Sequence, residues 1–410
     1  MAKSPRLKST QKMKEIATKY YQELAEAAND PTQKVAWCSS VGPAELLLAM
    51  GFKVYYPENH TAMLGATRLA NKFIPVSVAQ GYSPEICSYL TSDIGAYLSG
   101  ETPLTKAYGI DHVPEPDVLV YNTNQCRDVG DWFAWYGKKL DVPVLGIHSP
   151  SFVDEVTSSH IHDVVEQFKR MAQDLEKISN VAFDMRELQR RVKLSLDCTN
   201  LWMDVLGTAT NIPSPISFFD ACIQMLPAVV LRGEQVAIDY YRLLLEELKE
   251  RVENGIGAVP NEQHRTYWEG MPIWGKIRSL SEQFIDLQTS VVASTYCSSW
   301  VFRGFGEFPN DPLAGMAKAY TELFINRSDH AKENYLKNEF HKFKVDGVVW
   351  HNARTCPNNS NTRYGMPNRL ELDLNIPNLL IDADLNDLNV YSEEQTRMNI
   401  EAFVEQLAGI

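Results

Sequence analysis

A chain of 410 residues with 44% hydrophobic and 22% charged residues has room for two or three cores of ordinary globular composition. Its formal net charge of −13 excludes the basic face that a duplex nucleic acid demands, and no apolar run approaches the roughly 20 residues of a membrane span. Seven scattered cysteines, an odd number, argue against a disulfide framework and for a reducing, cytoplasmic setting, as does a polar start, Met1 to Lys8, without a signal-peptide core.

Met13, Ile16, Ala17, Tyr20, Tyr21, Leu24 and Ala25 recur at three- and four-residue spacing and predict an amphipathic helix within the first thirty residues. Val35 to Cys38 predicts a short strand, and Pro43 to Met50 a helix that Pro43 starts and Gly51 stops. A strand over Phe52 to Tyr56 follows, then a strand at 117–121, a helix from Trp132 to Leu140 and a strand from Val142 to Ile147. Such alternation implies a parallel sheet covered on both faces. From Val153 to Glu253 the pattern turns helical, at 153–178, 184–207 and 235–253, with a break at Pro213-Ser214-Pro215. Strands resume at 290–294, 347–350 and 378–382, and Ser392 to Leu407 ends the chain as a helix. The expected fold is therefore α/β: two Rossmann-like or flavodoxin-like parallel-sheet lobes with a helical middle, divided at 1–152, 153–265 and 266–410.

Open α/β sheets place ligands outside the carboxyl ends of their strands. Cys126 and Cys356 each follow a predicted strand within a few residues, and Cys87 falls at the start of a predicted helix. Three thiolates meeting at such an edge would suit iron and sulfide, with one iron left open; taken singly, a cytosolic cysteine is a small buried hydrophobe. Cys198, Cys222 and Cys297 receive that plainer reading. With no CxxC pair, a zinc ribbon or compact ferredoxin site is excluded. Ser40, between a strand and a helix, is either a cap or part of a polar pocket, and Glu58 follows the next strand toward the same edge, placed for acid–base work. His160 and His162 lie two apart and so on different helix faces, while His351 precedes the Cys356 loop. No GxGxxG follows a strand and no GxSxG is present. Gly270 to Lys276 comes nearest to a P-loop, but Ile277 stands where a Mg²⁺-binding hydroxyl belongs.

Several motifs in one order carry a resemblance. Trp37-x-Ser39-Ser40-Val41-x-Pro43-x-Glu45, Tyr56-Pro57-Glu58-Asn59, Gly81-Tyr82-Ser83-x-x-x-Cys87, the loop with Cys126, and Arg354-Thr355-Cys356 resemble the 2-hydroxyacyl-CoA dehydratases. Pro213-Ser214-Pro215, Arg232-Gly233, the segment Trp268 to Trp274 and the segment Asn310 to Met316 extend the likeness over nearly the whole chain. The same superfamily holds the ATP-dependent benzoyl-CoA reductases, which the stretch from Ser290 to Tyr296 also resembles.

The resemblance implies a heterodimer of two similar subunits, each with a [4Fe–4S] cluster on three cysteines, carried over here as Cys87, Cys126 and Cys356. It implies that this chain is the α-type subunit, with Ser40 and Glu58 near an open iron, and that a separate ATP-dependent [4Fe–4S] activator delivers the electron. The expected reaction eliminates water from an (R)-2-hydroxyacyl-CoA to give a 2-enoyl-CoA. One electron makes a ketyl radical anion that expels the 2-hydroxyl, leaving an enoxy radical with a far more acidic β-hydrogen. The alternatives are an aromatic-ring reductase acting on benzoyl-CoA and a non-catalytic iron–sulfur relay subunit. Two departures stand out: Cys38 occupies a serine or threonine position and is a candidate further thiol, and the loop Pro357 to Asn361 is unusually polar. Arg232, Arg265 and Arg303 are the candidates for coenzyme A phosphate contacts.

Overall fold

A computed structural model describes residues 6–409, so most of the polar start, residues 1–5, lies outside the described residues. Among the described residues, eight strands form two separate four-stranded sheets. The first contains β1 (Lys34–Cys38), β2 (Phe52–Tyr55), β3 (Val118–Asn122) and β4 (Val144–Ile147), in the order β2-β1-β3-β4. The second contains β5 (His264–Glu269), β6 (Thr289–Ser294), β7 (Gly347–Ala353) and β8 (Asn378–Ala383), in the order β6-β5-β7-β8. Every pairing is parallel, with Cys38 opposite Val120 in one sheet and Trp268 opposite Val349 in the other. The two sheets thus share one topology, in which the strand order reverses between the first and third strands. The expected α/β class with two parallel-sheet lobes holds.

β1 and β7 are apolar because both sheet faces are covered there: Val35, Ala36, Trp37 and Cys38 are all buried, as are Val348, Val349 and Trp350. β5 is the strand that sequence patterning did not give, because Arg265, Thr266 and Glu269 interrupt its hydrophobicity. All three are buried, and Arg265 satisfies itself locally. Its guanidinium donates to the carbonyls of Phe343 (2.9 Å), Ala209 (2.6 Å) and Asn211 (3.1 Å) and pairs with Glu262. A buried charge needs that many acceptors. Arg265 is therefore a structural residue and not a phosphate contact.

Between the sheets the chain is helical, with long helices at Ser158–Ser179, Met185–Gly207 and Gln235–Glu253. The first starts five residues later than its apolar pattern suggests because Thr157 caps it. The Thr157 hydroxyl accepts from the His160 N–H and the His160 ring accepts from the Thr157 N–H, both at 3.3 Å. His160 is thus a cap residue. One apolar core runs through all of this, joining Ala36 and Val54 of the first sheet to Trp202 and Tyr241 of the helices and to Tyr267 and Val348 of the second sheet. Among the described residues, no helix is long and apolar enough to cross a membrane.

Candidate functional site

In open α/β sheets a crevice opens outside the carboxyl ends of the strands where the order reverses. Here both crevices face one cavity. β1 and β3 deliver the loops with Ser40 and Cys126; β5 and β7 deliver those with Met271 and Cys356; all four residues line a space of about 270 Å³. Glu58 and Cys87 line it as well. The five residues singled out from sequence, spread over more than 300 positions, thus meet around one cavity. Cys126 and Cys356 occupy corresponding positions in the two lobes, each just past the third strand.

Local structure explains how each is presented. Ser39 and Ser40 lie in a tight turn closed by the Gly42 N–H on the Ser39 carbonyl at 2.7 Å. A Cβ at Gly42 would come within 2.7 Å of the Cys38 sulfur and 2.9 Å of the Ser39 hydroxyl, so only glycine fits. Cys38 itself is buried beneath this turn and absent from the cavity wall, which makes it a core thiol. Gly270 turns the chain after β5 at φ +101°, where a side chain would meet the His351 carbonyl at 2.7 Å. Cys87 is the residue before the helix Ser88–Ser99 and Cys126 lies two residues before the helix Asp128–Leu140. Sulfurs there meet free backbone N–H groups and the positive end of a helix dipole.

Burial pushes the Cys87 thiol well up, and the proximity of Cys126 and Cys356 adds to it; the N–H groups of Leu90 and Tyr89 oppose. Burial likewise raises Cys126 to about 12, helped by Cys356 and opposed by the Val129 N–H. Cys356 also rises to about 12 through burial, opposed by the Asn359 N–H. Among the described residues, no three His, Cys, Asp or Glu side chains converge as the ligands of a single ion would.

Glu58 sits in the first turn of the helix Pro57–Ala66. It accepts the Ser40 backbone N–H in a short bond, and the Ser40 hydroxyl and Gln125 side chain also reach it. Burial raises its pKa, and these hydrogen bonds and the Arg232 charge only partly offset the rise. A carboxyl in this state is fitted to hold or pass a proton.

Some side chains come here without a sequence signal. Ile223, Met225, Leu226 and Val229, from the helical middle, form an apolar wall, together with Trp274 and Trp300. Cys222, read as a plain buried thiol, also lines the cavity. The Trp274 indole N–H donates to the Tyr89 hydroxyl, tying the two lobes across it. His351 stays in the core: one ring nitrogen bonds the Met271 carbonyl at 2.6 Å, the other is buried without a partner, and burial lowers its pKa. Lys276, in the segment nearest to a P-loop, pairs with Glu393 at 2.7 Å.

Arg232, another candidate phosphate contact, is 1% exposed and spent inside the protein. It donates to the carbonyls of Gly42 (2.9 Å) and Val229 (2.8 Å) and pairs with buried Glu45 at 3.4 Å. Its task is to brace the Ser40 turn from behind.

Residues 39–407 match the family described as 2-hydroxyglutaryl-CoA dehydratase, D-component. The chain is 28% identical to the (R)-2-hydroxyisocaproyl-CoA dehydratase alpha subunit of Clostridioides difficile, over 92% of this chain and 91% of that one. It is 28% identical to the (R)-phenyllactyl-CoA dehydratase alpha subunit of Clostridium sporogenes, over 93% and 91%. With a subunit of the benzoyl-CoA reductase of Thauera aromatica it shares 25% identity over 97% and 94%. A match across nine-tenths of the length, with the motif residues gathered at one cavity, leaves one conclusion: the chain belongs to the 2-hydroxyglutaryl-CoA dehydratase D-component family.

Proposed function

We propose that this chain is the catalytic subunit of a dehydratase that converts an (R)-2-hydroxyacyl-CoA into the 2-enoyl-CoA and water. The observation that carries the reading is the meeting of Cys87, Cys126 and Cys356 with the Ser40–Glu58 pair around one cavity. The thiols fit a [4Fe–4S] cluster: each cysteine of such a cluster holds a different iron, so its ligands need a common cavity and not a common point. The protein alone disfavours three neighbouring thiolates, and a cationic iron core removes that penalty. When bound, the cluster supplies one-electron chemistry and an open iron that acts as a Lewis acid.

The residues of the chain do the rest. In the overall reaction the C2–O and one C3–H bond break, a C2=C3 bond forms, and the added electron is returned. Glu58, with its raised pKa, holds or moves a proton between the substrate and the leaving hydroxyl. Ser40 holds Glu58 through its backbone N–H, and its hydroxyl, which rests on Glu58 here, turns to a substrate oxygen when the acyl group is bound. The wall of Met225, Leu226, Trp274 and Trp300 excludes water and receives the acyl chain. All seven cysteines are free, which suits the reducing cytoplasm. The relatives named as alpha subunits support a homologous β-type partner, and the lack of a P-loop supports a separate ATP-dependent activator.

The likeness to a chain of a benzoyl-CoA reductase over 97% of the length supports a second reading, in which two electrons enter an aromatic thioester ring and no water is lost. A pure electron-relay role is the weaker alternative, because a relay needs no carboxyl such as Glu58 at its cavity. The test is the complex purified without oxygen, with its partner and activator, beside a Cys126→Ala variant. The reading expects about four irons per chain in the wild type, loss of iron in the variant, and an enoyl product from a 2-hydroxyacyl-CoA. A dienoyl product from benzoyl-CoA would move the chain to the reductases, and a folded, iron-free complex would sink both.

A further inference from the structure

A second cavity, about 320 Å³, borders the thiol-lined one beside the helix Asp329–Lys342. Ser299 and Leu323 line both, so these two side chains stand between the spaces. The chemistry of the second cavity differs from that of the first. Arg303, Arg327 and Lys342 line it, with the hydroxyls of Ser298, Ser299 and Tyr335. Its acids already have cations: Glu322 has Lys318 at 3.3 Å and Arg327 at 3.4 Å, Glu307 has Lys318 at 3.8 Å, and Glu339 has Lys342 at 3.8 Å. Arg303 differs from the other cations. It is exposed and, among the described residues, makes no hydrogen bond or close ion pair; its charge acts only at longer range, on Glu339 and Tyr335. Ser299 is also set for a ligand. Ser299 donates to the Thr295 carbonyl at 2.8 Å, which leaves its oxygen free to accept from an amide N–H; Ser298 donates to the same carbonyl at 3.2 Å and already accepts the Tyr335 hydroxyl at 2.8 Å.

A coenzyme A thioester carries its acyl group on a long arm with two amides, ending in a diphosphate and a phosphorylated ribose. Pockets for drug-sized ligands alone take about 300–1,000 Å³. A cavity of about 270 Å³ holds an acyl group and its thioester but not the rest of the handle. We propose, resting on the acyl-CoA reading above, that the second cavity seats this handle. Arg303 binds a phosphate, and the pantetheine arm passes Ser299 and Leu323 to place the thioester among the thiols. Guanidinium–phosphate bonds are charge-assisted and often two-pronged, so one unpaired arginine suffices to anchor the end of the arm.

The test is the equilibrium affinity of the intact complex for coenzyme A and for pantetheine, measured on wild type, Arg303→Gln and Ala331→Trp. Ala331 is a half-buried wall residue, so the indole fills the groove while every cation stays in place. Arg303→Gln should weaken coenzyme A about tenfold or more and leave pantetheine unchanged, and Ala331→Trp should weaken both. Thermal unfolding and iron content, unchanged in both variants, separate a lost subsite from a damaged fold. If wild type binds coenzyme A and both variants bind it equally well, the subsite is wrong while the acyl-CoA reading stands. If wild type binds neither coenzyme A nor any acyl-CoA, the reading itself falls and takes the subsite with it.

Discussion

Ser88 donates its backbone N–H to the Thr355 hydroxyl at 3.0 Å, which joins the residue after Cys87 to the residue before Cys356. One buried carboxylate fixes both. Asp384, at the end of β8, accepts the Ser88 hydroxyl on one oxygen and the Thr355 N–H (2.9 Å) and hydroxyl (2.6 Å) on the other. It also accepts the N–H groups of Asn386 and Asp387, each at 3.1 Å. Two thiols from distant parts of the chain are thus held in place by a residue that hydrogen-bonds to neither sulfur. Asp384→Ala would leave several buried donors without an acceptor, each costing about 1–3 kcal/mol. We expect the variant to lose most of its iron and to unfold several degrees lower, while Asp384→Asn, which keeps an acceptor oxygen, retains part of both. Wild-type iron content in Asp384→Ala would show that the two loops hold their geometry unaided.

Glu58→Gln tests the proton-handling half of the site without disturbing the rest. The amide oxygen can still accept the Ser40 N–H, so the turn above β1 should keep its shape. Loss of a positioned acid–base group lowers turnover by about 10²–10⁴. We expect turnover to fall in that range with iron content unchanged. Undiminished turnover would remove Glu58 from the mechanism; lost iron would reassign it to structure.

Arg232 and Glu45 form a pair 1% and 0% exposed, beneath the turn that presents Ser40. Removing one partner of such a pair leaves an uncompensated buried charge and costs about 3–5 kcal/mol. Arg232→Met should therefore destabilise the chain by roughly that amount, and adding Glu45→Gln should recover part of the loss. Coenzyme A affinity, measured below the unfolding temperature, should stay at the wild-type value. A fall in affinity without a fall in stability would restore Arg232 as a ligand contact.

What sequence could and could not reveal follows from range. Ser40, Glu58, Cys126 and Cys356 stand just past strand ends, and strand ends are written in local apolar runs, so their common edge was legible. Cys87 was legible from its motif and from the helix that begins after it. β5 was hidden because Arg265 and Glu269 are polar yet buried, and the acceptors for Arg265 come from residues 209, 211 and 343. The same blindness made Arg232 and Arg265 look available for phosphate. A charge reads as exposed until its buried partners are known. The apolar wall from Ile223 to Val229 carried no signal either, since a cavity-lining residue and a core residue look alike in sequence.

Glu269 gives the fold a dependence on pH. It is 1% exposed, accepts from the Asn361 side chain at 2.6 Å and from the Thr295 hydroxyl, and lies near buried Lys332. Burial raises its pKa from 4.5 to about 7, and the two hydrogen bonds and the lysine only partly oppose the rise. The folded chain therefore holds this proton more tightly than the unfolded chain does. Its contribution to stability is complete below about pH 4.5 and is lost as the pH rises through about 7. The full difference is on the order of 3 kcal/mol, since one pKa unit corresponds to about 1.4 kcal/mol. Between pH 4.5 and pH 7 wild type should lose stability that Glu269→Gln, with no carboxyl to titrate at this position, does not lose. Denaturant unfolding of both proteins across that interval reads the difference directly. Parallel curves would mean that the carboxyl ionises at the same pH in the folded and unfolded chain, and that Lys332 compensates its burial in full.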